Sequence, residues 1–157
     1  MPGKVIPQPD DLTLELFRAI ASTGQLHVQQ CADCAAYAHP PRYYCAQCFS
    51  PRYRMAAVSG AGTVYSHTMS HYTTEPAWQG DVPYATVVVE LDEGPRIVGA
   101  ARHPDPAAIA IGQRVRVVPE PRTDDFSFLT VRFDDVVPGA RPVPEGTTVG
   151  DGEAAGA

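Results

Sequence analysis

All four cysteines of the chain fall in one short stretch, as two C-x-x-C pairs: Cys31 with Cys34, and Cys45 with Cys48. Ten residues separate the pairs, and Pro40 and Pro41 lie among them. The tight turn of a C-x-x-C pair points both sulfurs at one centre. Two such turns facing each other supply four thiolates in a tetrahedron, the closed arrangement of a structural Zn²⁺ site. A catalytic zinc keeps one position open for water, and four cysteines leave none. Two rivals stand beside zinc. Tetrahedral sulfur also suits a single iron. Two disulfides would require an oxidising compartment, and residues 1–11 contain no apolar run of the kind that exports a chain. Four thiolates around a divalent cation leave about two negative charges. Arg42, Arg52 and Arg54 follow closely in sequence and either compensate that charge or solvate a small surface.

A chain of 157 residues suits one medium domain or two small ones. With 44% hydrophobic and 19% charged residues it can build a core. A net charge of −6 argues against a general nucleic-acid binder, which is normally basic. No apolar run approaches the length of a membrane helix. Thiolates held for a metal, with no export signal, place the expected location in the cytoplasm.

The chain reads in four parts: arm and helix over 1–29, zinc ribbon over 30–54, a β domain over 55–137, and a disordered tail over 138–157. Residues 1–9 hold three prolines and read as an extended arm. Asp10 is a good N-cap. Leu12, Leu16, Ala19 and Ile20 share a helical face, and Gly24 suits the left-handed C-cap, so 11–22 reads as one amphipathic helix. It is too short to be stable alone and must dock, on its own domain or on a partner. Residues 25–30 read as a short strand, and His27 as a packing or surface residue. The ribbon carries Tyr37, Tyr43, Tyr44, Phe49 and Tyr53, many aromatics for so small a module, so some should pack against the neighbouring domain.

From residue 55 the pattern turns to β. Strands are expected at 63–71, 84–91, 96–102, 113–118 and 126–133. The continuous apolar run within 84–91 suggests burial on both faces. Gly99 marks a bulge or a close backbone approach. The change of apolar parity between Phe128 and Leu129 suggests a bulge. Residues 104–109 read as a short helical turn. Five short strands with glycine-rich turns suggest a closed barrel of the OB-fold type. The expected fold is therefore mainly β: an N-terminal helix, a zinc ribbon, a five-stranded OB-fold barrel and a disordered C-terminal tail.

These residues together resemble a family. The order of short helix, Cys31 and Cys34, Pro40–Pro41–Arg42, Cys45 and Cys48, the segment 60–66, the hairpin 89–96 and the segment 111–115 is similar to the acyl-CoA-associated OB-fold proteins. That family was long catalogued as a domain of unknown function. The resemblance runs from Leu12 to Phe133. It implies a rubredoxin-like zinc ribbon and a non-catalytic accessory subunit in a hetero-oligomer. The implied partner is a thiolase-like enzyme or a lipid-transfer-protein type aldolase of steroid side-chain degradation, and an acyl-CoA is a possible ligand. One departure is visible. Ala35 and Phe49 follow the cysteine pairs where many knuckles have glycine.

No convincing catalytic set emerges. His67 and His71 share a strand face but lie about 13 Å apart, too far to share an ion. No nucleophile-elbow pattern surrounds Ser66 or Ser70. The loop 72–83 is longer than a hairpin needs. It begins at Tyr72 and holds the only tryptophan, Trp78, which reads as a partner contact, a lid or a cap on the barrel mouth. Given the implied ligand, Arg42, Arg52, Arg54, Tyr72 and Trp78 are the candidate CoA or partner contacts. Arg114 and Arg116 read as ion-pairing residues. The alternative function is a single-stranded nucleic-acid binder, since ribbons and OB-folds both serve that role, but the acidic charge opposes it. An iron-bearing electron carrier is a third reading.

Overall fold

The computed structural model of the chain describes residues 5–101, 105 and 108–134. The expected tail over 138–157, and parts of the N-terminal arm and of the turn at 104–109, lie outside the described residues.

The helix α1 (Asp11–Thr23) begins and ends as its sequence dictates. Asp10 Oδ1 accepts from the Thr13 N–H at 2.8 Å, and Gly24 closes the last turn at φ 68°. Leu12, Leu16 and Ile20 are buried, each contributing about 1.5–3 kcal/mol. The helix docks on its own chain. It packs chiefly on β8 (Phe126–Phe133), with further contacts to β1 (His27–Cys31) and β3 (Tyr53–Ala57).

The ribbon sheet has the order β2–β1–β3, all antiparallel, with β2 at Tyr37–Ala38. Central β1 is buried at every position, which makes His27 a packing residue. The remaining strands are β4 (Ala61–Ser70), β5 (Tyr84–Leu91), β6 (Arg96–Ala101) and β7 (Arg114–Thr123). With β8 they close a barrel in the order β4–β5–β6–β8–β7. Neighbours are antiparallel except β6 and β8, which pair in parallel at Ala100 with Thr130 and Ala101 with Val131. This is the five-stranded OB-type barrel expected from the strand pattern.

Four details depart from the sequence reading or settle it. β5 buries only one face: Ala85, Val87, Val89 and Leu91 point into the core, while Thr86 and Val88 are half-buried. β7 runs beyond the expected end, through Pro119 and Pro121. The Val117 N–H donates to Gly60 O, so odd positions of β7 point away from β8, and the prolines lose only donors on an edge that β4 no longer covers. β8 has no bulge at Phe128 and Leu129, since the ladder with β7 is regular there. Its parity changes because both faces are covered. Phe126 packs on Phe17 of α1 and on Phe128, while Val131 and Phe133 fill the core. Gly99 serves a close approach: a Cβ there would lie 2.9 Å from Val131 Cγ2 and 3.0 Å from Leu129 O.

Candidate metal centre

The two cysteine pairs fold into matching knuckles. In the first, Cys31 N–H donates to Ala36 O at 2.9 Å and Ala35 N–H to Cys31 O at 3.1 Å. In the second, Cys45 N–H donates to Ser50 O at 2.9 Å and Phe49 N–H to Cys45 O at 3.0 Å. Each turn closes through a left-handed residue, Ala35 at φ 59° and Phe49 at φ 58°. These are the two positions where glycine is missing from the sequence pattern. A side chain in that region costs about 1–2 kcal/mol, so the turn is held by the bonds around it.

The four Sγ atoms lie within 4.8 Å of one another, and no disulfide joins any two of them. Cys31 and Cys48 are 3.6 Å apart, and Cys34 and Cys45 are 3.5 Å apart. A tetrahedron with zinc–sulfur bonds of about 2.3 Å has edges of about 3.8 Å. The set therefore fits one four-coordinate ion. The backbone N–H groups of Cys48 and Gln47 draw the Cys45 thiol down to about 6. At Cys48 the Ser50 N–H pulls the same way, but the neighbouring sulfurs and burial outweigh it and push that thiol up to about 12. A divalent cation relieves this crowding of negative charge. Among the described residues, this is where three or more potential ligand side chains converge.

The shell around the sulfurs is braced. Asp33, inside the first knuckle, accepts from both Arg52 and Ser50, which flank the end of the second. The Arg52 guanidinium, followed by the Ser50 hydroxyl, holds the Asp33 carboxyl below its ordinary range. Sequence reasoning missed two residues here, Gln29 and Gln30. Gln29 Nε2 donates to Arg42 O at 2.7 Å, and the Arg42 N–H donates back to Gln29 Oε1 at 2.9 Å. Gln30 accepts from Arg54 and donates to Ala35 O. The available signal was two consecutive glutamines leading into a buried cysteine.

The structure divides the candidate contact residues. Arg42, Arg52 and Arg54 are exposed on the ribbon, although Arg52 is held by Asp33 and Arg54 by Gln30. Arg42 and Arg52 line a small cleft of about 100 Å³ beside Cys31 and Cys45. Tyr72 and Trp78 belong to the β4–β5 loop and do not line it. Tyr72 is exposed, while Trp78 is half-buried in a single 3₁₀ turn (Pro76–Trp78) against Tyr84 and Phe128. Of the ribbon aromatics, Tyr37 packs on the core and Tyr53 donates to Glu15 of α1 at 2.9 Å. Tyr43, Tyr44 and Phe49 remain 63%, 63% and 77% exposed. Arg114 forms a bidentate pair with Asp92, and Arg116 donates to Ser59 O.

Residues 18–54 match the model of the ChsH2 rubredoxin-like zinc ribbon domain, and residues 56–120 match that of the ChsH2 C-terminal OB-fold domain. The chain carries a ChsH2-type zinc ribbon followed by a ChsH2-type OB-fold domain. It is 38% identical over 92 residues to the 3-oxo-4,17-pregnadiene-20-carboxyl-CoA hydratase alpha subunit of Mycobacterium tuberculosis, covering 59% of this chain and 29% of that one. The chain thus spans less than a third of the length of the curated hydratase relatives it matches. A DUF35 domain-containing scaffold protein of Methanocaldococcus jannaschii is 27% identical over 110 residues, covering 69% of this chain and 77% of that protein. Among solved structures, a chain of the Ltp2-ChsH2(DUF35) aldolase superposes with a TM-score of 0.72 at 29% identity, covering 82% of this chain and 98% of that one. The matched ribbon domain is named for zinc, and the four cysteines clustered here are positioned to bind one metal ion. Among the described residues, no helix is long and apolar enough to cross a membrane.

Proposed function

We propose that this chain is a non-catalytic, zinc-containing accessory subunit of a thiolase-like acyl-CoA enzyme, either a thiolase or an aldolase of steroid side-chain degradation. On this reading the chain stabilises the complex and helps hold the CoA ester, and the partner supplies the catalytic residues. One observation carries the reading. The fold coincides over 82% of this chain, and 98% of the other, with a chain of the Ltp2-ChsH2(DUF35) aldolase. The relative called a scaffold protein and the acyl-CoA hydratase subunits point the same way.

Zinc is the resident group this reading requires, held by Cys31, Cys34, Cys45 and Cys48. Its chemistry is structural: it neutralises thiolates and fixes the two knuckles. The residues of the chain do the rest. Arg42, Arg52 and Arg54 offer cations on the ribbon to CoA phosphates or to acidic groups of the partner. Tyr72 and Trp78 offer aromatic surface at the barrel loop. We place the protein in the cytoplasm, where thiolates stay reduced for the metal.

The test is a tagged pull-down from the native cell, with mass spectrometry of what is recovered. A thiolase-like or lipid-transfer-protein type enzyme should appear in near-equal amount. That enzyme, expressed without this chain, should be insoluble or inactive. Full activity of the isolated enzyme would refute the accessory role.

A further inference from the structure

A cleft of about 420 Å³ lies where the helix, the ribbon and the barrel meet, and it shares no lining residue with the small cleft beside the cysteines. Leu16 and Ile20 of α1 form one wall, Val98 and Leu129 of the barrel another, and His39 and Pro40 of the ribbon a third. Its volume falls in the lower part of the range of small-molecule sites, about 300–1,000 Å³. No Asp, Glu, Lys or Arg lines it among the described residues. Two polar atoms in its walls, His39 Nδ1 and Ser127 Oγ, are buried without a hydrogen-bond partner among the described residues. A buried polar atom left unpaired costs about 1–3 kcal/mol, and such atoms call for an explanation. Val98, on the barrel wall, is 56% exposed, so the cleft has a side that faces solvent.

We propose that this cleft binds an uncharged, slender apolar molecule carrying one hydroxyl or carbonyl group, with the apolar body between α1 and the barrel and the polar group paired with Ser127 or His39. A charged head would be desolvated with no charged group among the described lining residues to meet it, which a neutral hydroxyl avoids. A docking protein segment fits less well, because three separate elements form a concave cleft, partly open to solvent, instead of a plane. Burial draws the His39 imidazole below its ordinary pKa, in keeping with a neutral site. The inference is independent of the accessory-subunit reading, since it concerns a surface that reading does not use.

The experiment is a titration of the full-length, zinc-loaded protein with n-alkanols from hexanol to dodecanol, and with octanoate. Heat is measured, together with the emission of Trp78, whose ring lies 6.3 Å from that of Phe128 in the cleft wall. Octanol should bind saturably at one site, and octanoate at least about tenfold more weakly. Ser127→Ala should weaken octanol several-fold, up to about tenfold, without lowering the melting temperature, because it removes an unpaired hydroxyl. Val98→Trp should block binding, and Ala100→Leu does the same from within if the tryptophan variant fails to fold. The proposal is overturned if no alkanol binds saturably, if octanoate binds as tightly as octanol, or if both blocking variants bind normally. It is also overturned if those variants lose a protein partner while the wild type binds no alkanol, which would make the cleft a docking surface.

Discussion

At the scale of single residues, Ala35 and Phe49 show how far the metal centre dictates local backbone. Both occupy a left-handed conformation that glycine adopts without cost. Changing each to glycine should therefore raise the unfolding free energy of the zinc-loaded protein, by about 1 kcal/mol per site after the larger entropy of the unfolded glycine is deducted. Paired thermal melts would show it, and a drop in both variants would mean that the Phe49 ring, although exposed, makes contacts that matter. A second expectation concerns Asp92. Arg114 holds its carboxyl below the ordinary value of 3.8. The contribution of the pair is thus complete above that value and lost as the pH falls through the folded-state pKa. Both side chains are half-exposed, so the effect is small. Asp92→Asn should melt slightly below the wild type near neutrality, and the gap should shrink as melts are repeated down to about pH 3. A gap that stays constant would show that Asp92 acts through something other than its charge. The four cysteines were fully legible in the sequence, because their spacing alone implies a common centre. Gln29 and Gln30 were not, because a side-chain bond to backbone thirteen residues away leaves no periodic trace.

At the scale of elements, the helix and five barrel strands were legible from caps and alternation, and their limits were misread where tertiary context intervened. The two aromatic faces of β8 looked like a slip in register because nothing local says that α1 covers the outer face. The continuous apolar run of β5 promised a doubly buried strand, yet its outer face is only half-covered. The cleft between α1, β6 and β8 was invisible for the same reason: it belongs to no one element. The brace between β1 and the second knuckle yields a sharper expectation. Gln29→Leu removes both partners of the Arg42 backbone and should destabilise the ribbon by about 2–3 kcal/mol. Hydrogen exchange at the amides around Arg42 should accelerate, and unchanged exchange would mean that water takes over the role of the glutamine.

At the scale of the whole molecule, ribbon and barrel are not beads on a string. β3 runs from the ribbon sheet toward the barrel, Val58 N–H donates to Leu26 O at 2.9 Å, and Tyr53 ties the ribbon to Glu15 of the helix. Calorimetry should accordingly show one transition for the zinc-loaded chain. Cys45→Ser, or a strong chelator, should move that whole transition down, well beyond the loss of a ribbon signal alone, since metal binding in ribbons of this size supplies about 10–16 kcal/mol of folding free energy. A barrel that melts unchanged in the mutant would separate the two parts. The bond from Tyr53 to Glu15 thus has a consequence for the protein in its cell. By mass action, free zinc at a hundred times its dissociation constant adds about 2.7 kcal/mol to the folded state, and scarcity withdraws it. The stripe of Leu12, Leu16 and Ile20 is then released along with the knuckles, and a released apolar helix is what quality-control proteases recognise. Zinc supply would set how many copies of this chain survive, before any question of what they bind.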